Sequence, residues 1–334
     1  MRILVTGGAG YIGSHTCKRL KACGHDPIVF DNLSTGHRSF VRFGPLVEGD
    51  LNDRAALDRA FAEHRPDAII HFAASAYVGE SVQDPLKYYR NNVGGTCNLL
   101  TAAVAHGVRD IIFSSSCATY GTPASVPIVE TMPQAPINPY GDTKLVGESM
   151  LRAATAAYGM RCIALRYFNA AGADLDGELG EAHDPETHAI PLILAAARGT
   201  IPAFSVFGTD YATPDGSCVR DFLHVADLAD AHVRAVEALQ RLDGFTAINL
   251  GTGTGHSVLE LIATVERVTE RRVPVVRGPR RSGDPAALVA DATLAADLLG
   301  WSPRHAALDT IIRSAWDWMH NPLHPLGNGT RDAG

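Results

Sequence analysis

The sequence holds no Cys-x-x-Cys pair, and its six cysteines (17, 23, 97, 117, 162 and 218) have no zinc-ligand spacing. Such cysteines read as thiols in a reducing compartment, so a cytoplasmic protein is expected. No stretch approaches about 18 apolar residues without a charge, which excludes a membrane-spanning helix. No cationic segment with an apolar run precedes MRILVTGG, which already reads as strand and loop rather than leader. Basic charge is not in surplus: 29 Lys and Arg face 36 Asp and Glu, a formal charge of −7. That excludes a broad basic surface for nucleic acid or an anionic membrane, so any phosphate must be held by local groups. Internal repeats and low-complexity runs are absent. Histidine is plentiful, with 14, and HDPETH (His183, His188) and HNPLH (His320, His324) invite a metal reading. A proline inside each pair disfavours a ligand-bearing helix, so no metal is expected.

What the chain has is length and apolar content: 334 residues, 46% hydrophobic, enough for one large or two ordinary domains. Short apolar runs (RILVTG, PIVFD, LVEGD, AIIHFA, DIIFSSS, CIALRYFN) alternate with helical stretches such as GSHTCKRLKACG and KLVGESMLRAATAAYG. This alternation predicts an α/β fold: a doubly wound parallel sheet over residues 1–172 with helices on both faces. Beyond that the pattern changes to a polar loop and then shorter runs, AFSVFG and FTAINLG among them, which predicts a smaller mixed α/β domain over 173–320. The end, 321–334, has little to bury and is expected to be a flexible tail.

TGGAGYIG (6–13) follows a strand and opens a helix, the setting of a dinucleotide-binding loop. Glycines fit the spacing at 8, 10 and 13, and also at 7, 10 and 13. They make the tight turn and let the backbone approach a pyrophosphate at the helix N-terminus. Asp31 ends the second strand 18 residues past Gly13. An acid there accepts from ribose hydroxyls and repels a 2′-phosphate, favouring NAD over NADP, with a turn residue before Asn32 as the lesser reading. Asp50, ending LVEGD, suits an adenine-side contact and, on spacing alone, equally a turn.

FSSSCATYG (113–121) puts three hydroxyls, Ser114 to Ser116, at a strand's C-terminal end, where ligands bind in such sheets. NPYGDTK (138–144) then sets Tyr140 and Lys144 one helical turn apart on one face. A phenol loses its proton near pH 10, so service as a base at pH 7 needs a shift of about 3 units, or about 4 kcal/mol. A lysine about 6 Å away at an effective dielectric near 20 supplies just under about 3 kcal/mol. A cationic nicotinamide would supply most of the rest.

TGGAGYIG, the strand-end serines and Tyr-x-x-x-Lys together resemble the extended short-chain dehydrogenase/reductase superfamily. Within it, HFAASAYVGESVQDPLKYYRNNV (71–93), YFNAAGA (167–173), FGTDYATPDGSCVRDFLHVADLADAH (207–232) and RRSGD (280–284) resemble the UDP-glucose (UDP-galactose) 4-epimerases, over nearly the whole chain. The resemblance implies bound NAD, a UDP-sugar substrate and a homodimer. It implies Tyr140 as general base and acid, Lys144 as its partner and a nicotinamide-ribose ligand, and Ser116 as a proton relay to the sugar's 4-oxygen. It places Gly7, Gly10, Tyr11, Ile12, Gly13, Asp31, Asn32, Asp50, Leu51, Phe72, Ala73, Asn91, Ser114 and Phe168 at the cofactor. On the UDP-sugar side it places Asn169, His188, Phe207, Arg220, Arg281, Asp284 and Leu288. The paired subunits would meet through residues 86–105 and 145–158, with Leu99, Val104, Met150 and Leu151 exposed to the partner.

Two positions depart from a common pattern of these enzymes: Ala76 stands where some carry a cofactor-contacting lysine, and Leu288 where some carry a bulky aromatic wall beside the sugar. A nucleotide-sugar dehydratase would carry Asp-Glu after the strand-end hydroxyl, where this chain has Cys117-Ala118. SAYVGES, CATYG and INPYG also resemble UDP-xylose/UDP-arabinose 4-epimerases, so hexose and pentose substrates both stay open.

Overall fold

The computed structural model describes residues 1–281, 284–321 and 323–325, so most of the expected tail lies outside the described residues. The chain opens with β1 (Arg2–Thr6), α1 (Tyr11–Ala22), β2 (Asp26–Asp31), β3 (Leu46–Glu48), α2 (Arg54–His64) and β4 (Ala68–His71). Two short helices, α3 (Val78–Gln83) and α4 (Pro85–Tyr88), lead through a wide turn at Tyr89–Gly94 into α5 (Gly95–Ala105) and β5 (Asp110–Ser116). There follow α6 (Pro139–Tyr158), β6 (Arg161–Tyr167), β7 (Asn169–Ala171), α7 (Ala189–Arg198), β8 (Phe204–Phe207), β9 (Val219–His224) and α8 (Val225–Ala238). The last elements are β10 (Phe245–Leu250), β11 (Gly255–Ser257), α9 (Val258–Thr269), β12 (Val275–Gly278), β13 (Ala287–Leu288), α10 (Thr293–Leu299) and α11 (Leu308–Met319).

Among the described residues the main sheet has seven strands in the order β10-β6-β5-β4-β1-β2-β3, each pair parallel. Strand residues alternate between its faces. Ile3, Val5, Val29, Ile70, Ile112, Ile163 and Leu165 pack with α1, α8 and α10. Leu4, Ile28, Phe30, Ile69, Ile111 and Phe113 pack with α2, α5 and α6. Both faces are covered, which is why the strands read as nearly continuous apolar runs. The seventh strand, β10, comes from FTAINLG, in the stretch expected for the second domain. It pairs with β6 from Phe245↔Cys162 to Leu250↔Tyr167, and α8 returns with it to pack on α1. A second core gathers α7, α9, α11 and β8 around Ile193, Phe204, Leu261 and Ile311.

The strand order reverses between β1 and β4, and the crevice at their C-terminal ends is where ligands bind in such sheets. The glycine loop, Phe72, Ala73 and the strand-end serines all lie at that end. On the opposite question of self-association, Leu99 and Leu151, expected to be exposed, are fully buried under the sheet, and Met150 packs against the same core. They cover the protomer's own strands, because α5 and α6 each need an inward apolar stripe. Val104 is exposed, as are Leu86, Tyr89 and Tyr158.

Candidate active site

The loop after β1 uses glycines 7, 10 and 13. Gly7 has φ of +73°, and a Cβ there would lie 2.6 Å from the Ala73 nitrogen. A Cβ on Gly13 would lie 2.2 Å from the Gly7 oxygen, so these two positions tolerate no side chain. Gly10 starts α1 without a side-chain cap, and the first turn carries no acidic residue. The N–H groups of Tyr11 and Ile12 are thus left to an anion. The Tyr11 hydroxyl is committed elsewhere, donating to the Gly172 oxygen at 2.5 Å.

Asp31 fills the turn part of its expected role. Oδ2 accepts from Ala9 N at 2.9 Å and Oδ1 from Leu33 N at 2.8 Å, so it ties the glycine loop to the turn after β2. Burial raises its pKa, partly offset by these two bonds. Asp50 accepts from Asn32 Nδ2 at 2.8 Å and from Asn52 N at 2.7 Å, which builds its turn and orients Asn32. Leu51 is buried and packs on Gly95. Ile12 and Phe72 pack at the edge of the core, with the Phe72 ring 4.6 Å from that of His232. Asn91 donates to Ser75 Oγ at 3.2 Å. The donor and acceptor set fits a dinucleotide: an uncapped helix start for the pyrophosphate, a cradle that a Cβ would fill, and a carboxylate at the end of β2 for a ribose.

Asn138 caps α6 by accepting from Gly141 N at 2.8 Å, and Pro139 occupies its first turn. Tyr140, Lys144 and Glu148 therefore descend one face of α6 at successive turns, against β5. Lys144 Nζ donates to the Ser114 main-chain oxygen at 2.7 Å and lies 5.9 Å from the Tyr140 ring centre. Ser114 Oγ and the Tyr167 hydroxyl share a 2.5 Å bond. Ser115 Oγ donates to Glu148 Oε1 at 2.6 Å. Ser116 Oγ accepts from Ala118 N at 3.1 Å and lies near enough to the Tyr140 hydroxyl to favour its ionised form.

Electrostatics here run against the sequence argument in one respect. Burial holds the Tyr140 phenol above its ordinary range, Tyr167 adds to the rise, and Ser116 opposes it. Burial also lowers Lys144 to about 7. The sequence estimate weighed only the attraction between the two charges; desolvation was left out, and it works against both charged forms. An added positive charge is needed to bring the phenolate within reach.

Among the residues expected on the UDP-sugar side, Arg281 lies 4.0 Å over the Phe207 ring, and Arg220 pairs with Asp284. Leu288 is in register with Arg220 across β13 and β9. Asn169 Nδ2 donates to the Asp221 oxygen at 3.1 Å. Leu288 and Phe168 share a small apolar cluster with Cys117 and Tyr120, which brings Leu288 next to the strand-end serines. His188 is held differently, by Glu181 and Glu186, as described below. The residues after Ser116 are Cys117 and Ala118, with no carboxylate.

Sequence reading passed over Tyr167, Glu148 and Arg280. Tyr167 is in register with Ser116 on the neighbouring strand, a pairing visible only once β5 and β6 are aligned. Arg280 lies 4.3 Å over the Tyr211 ring and donates to Asp210 Oδ1 at 2.7 Å. The doublet Arg280-Arg281 was its only signal.

The model of the NAD dependent epimerase/dehydratase family matches residues 3–251. The chain belongs to that family. A UDP-glucose 4-epimerase of Rhizobium leguminosarum bv. trifolii is 57% identical over 316 residues, 95% of this chain and 96% of the relative. The crystal structure of UDP-glucose 4-epimerase from Brucella ovis in complex with NAD superposes with a TM-score of 0.92 at 57% identity, over 95% of this chain and 97% of that one. The epimerase from Bifidobacterium longum, in complex with NAD+ and UDP, gives 0.93 at 40% identity, over 97% and 100%. This likeness extends past the family match into the second core, so both parts of the fold are those of the epimerases.

Proposed function

We propose that the protein is an NAD-dependent UDP-sugar 4-epimerase that interconverts UDP-glucose and UDP-galactose. The observation that carries this reading is the placement of Tyr140, Lys144 and Ser116 together at the C-terminal end of β5, beside a dinucleotide loop, in a chain so close to UDP-glucose 4-epimerases. In this reading Gly7, Gly10 and Gly13 admit the NAD pyrophosphate, Asp31 takes the adenine ribose, and Lys144 holds the nicotinamide ribose. Bound NAD+ supplies the hydride acceptor at the sugar's carbon 4 and returns the hydride afterwards. Tyr140 takes the proton of the 4-hydroxyl, through Ser116, and gives it back on the other face. Arg220 and Arg281 hold the UDP diphosphate with forked donors while the sugar turns. Asp284 orients Arg220, and Phe207 supports Arg281. Residues 1–172, completed by α8 and β10, would form the NAD-binding part, and the remainder up to about 320 the UDP-sugar part. The net reaction is an isomerisation, so NAD is regenerated at each turnover.

The test is product analysis with UDP-galactose, UDP-xylose and UDP-GlcNAc side by side, using purified protein without added NAD. Conversion of UDP-galactose to UDP-glucose with no net NADH is expected. Net NADH, or turnover confined to the pentose, would overturn the assignment. We further propose a homodimer working in the cytoplasm. Leu86, Tyr89, Val104 and Tyr158 are exposed on or beside α4, α5 and α6 and would be covered by a second copy, and the six cysteines are free thiols. Sedimentation showing only a 35.5 kDa species at micromolar concentration would contradict the dimer.

A further inference from the structure

The loop between β7 and α7 turns back on itself so that four side chains from one short stretch converge. His183 Nδ1 lies 3.1 Å from Glu181 Oε1 and 3.7 Å from Glu186 Oε2. His188 Nδ1 lies 2.9 Å from Glu181 Oε1 and 2.8 Å from Glu186 Oε1. All four donor groups fall within 4.8 Å of one another. Zinc bonds of about 2.0–2.2 Å place tetrahedral donors about 3.3–3.6 Å apart. The observed separations straddle that spacing, so small side-chain shifts would close four donors on one ion. No helix is needed to present them, so the proline in HDPETH does not bar the site. We propose that Glu181, His183, Glu186 and His188 form a divalent transition-metal site of the kind zinc occupies, fastening this loop over the start of α1.

The chemistry of the set supports that choice. Two imidazole nitrogens and two carboxylates make a mixed N/O site with no thiolate, and the two carboxylates neutralise a divalent ion. Burial disfavours charge on both imidazoles, yet the carboxylates outweigh it and push His183 up to about 9 and His188 up to about 10. The surroundings are arranged around the cluster. The rings of Tyr11 and Tyr77 stand 6.2 and 6.0 Å from His183, and Trp318 Nε1 donates to the Glu181 main-chain oxygen at 2.9 Å. The Tyr77 hydroxyl is buried with no hydrogen-bond partner among the described residues. Because Tyr11 also bonds Gly172 and follows the glycine loop, an ion here would brace the junction between the two cores.

Full-length protein stripped with a chelator and titrated with zinc chloride in a calorimeter tests this. Saturable binding of one zinc per chain with a rise in melting temperature is expected. His183→Ala and Glu181→Gln should each weaken binding by at least about tenfold, since even residues behind a ligand matter that much. His320→Ala, a histidine outside the cluster, should leave it intact. The stoichiometry of one zinc per wild-type chain is a readout that survives if a variant fails to fold. No saturable zinc binding, or binding equally strong in His183→Ala, would overturn the site.

Discussion

Lys144 and Tyr140 sit one helical turn apart with the ammonium 5.9 Å from the phenol ring, and the same ammonium donates to the Ser114 oxygen at 2.7 Å. At this separation the two groups are expected to titrate as a pair. Below about pH 7 both carry their protons and no base is present. As pH rises through about 7 the pair loses one proton, and because burial holds the phenol high, that proton leaves Lys144 first. The one-proton pair includes the form with tyrosinate and ammonium, which is the one that can act as a base. Activity should therefore rise with pH through an acid limb near 7. Lys144→Met leaves only the raised phenol and should move the limb up by more than about one unit. A limb unchanged in Lys144→Met, read from kcat/KM against pH, would separate Lys144 from the ionisation.

Glu148 continues the same helical face downward. Its two oxygens accept from Arg166 Nε at 2.8 Å and Nη2 at 2.6 Å, and both side chains are buried. Arg166 also donates to the Tyr120 hydroxyl at 2.8 Å, which in turn donates to Asn249 Oδ1 at 2.8 Å. This network pins α6 to β5, β6 and β10. Removing one partner leaves a buried charge uncompensated, so Glu148→Leu should cost about 3–5 kcal/mol in urea denaturation. A loss under about 1 kcal/mol would show that the pair is not what anchors the helix.

Much of this was legible in the sequence. Six strands of the main sheet stand out because strands buried on both faces are written as apolar runs, and the glycine loop and Tyr-x-x-x-Lys carry fixed spacing. The seventh strand was not legible. FTAINLG follows the second-domain helices in order, and only folding shows that Ile248 and Leu250 return to the first sheet. Exposure on α5 and α6 was misjudged at Leu99 and Leu151, because periodicity shows that a helix has an apolar face but not what covers it. Desolvation of Tyr140 and Lys144 was invisible for the same reason: spacing gives a separation between two groups, not the medium around them. The convergence of His183 and His188 depends on a loop path that no periodicity encodes.

Leu288 offers a test of specificity. It lies in register with Arg220 and packs in the cluster that holds Phe168 and Cys117. If it walls the sugar near the 2-substituent, a larger side chain narrows the space and the effect on selection is about 1–3 kcal/mol. Leu288→Tyr should depress UDP-GlcNAc epimerisation more than UDP-galactose epimerisation, by about tenfold or more in the ratio of kcat/KM. Equal effects on both substrates would place Leu288 away from the 2-substituent.

The central claim is that Tyr140 moves the proton of the sugar's 4-hydroxyl, and Tyr140→Phe tests it most directly, since the variant keeps the ring and its packing and removes only the hydroxyl. The measurement is single-turnover and steady-state epimerisation of UDP-galactose, alongside UDP affinity by calorimetry. A general base contributes about 100- to 10,000-fold, so turnover should fall by at least about 100-fold while UDP binds as in the wild type. Turnover within a few-fold of wild type would contradict the account.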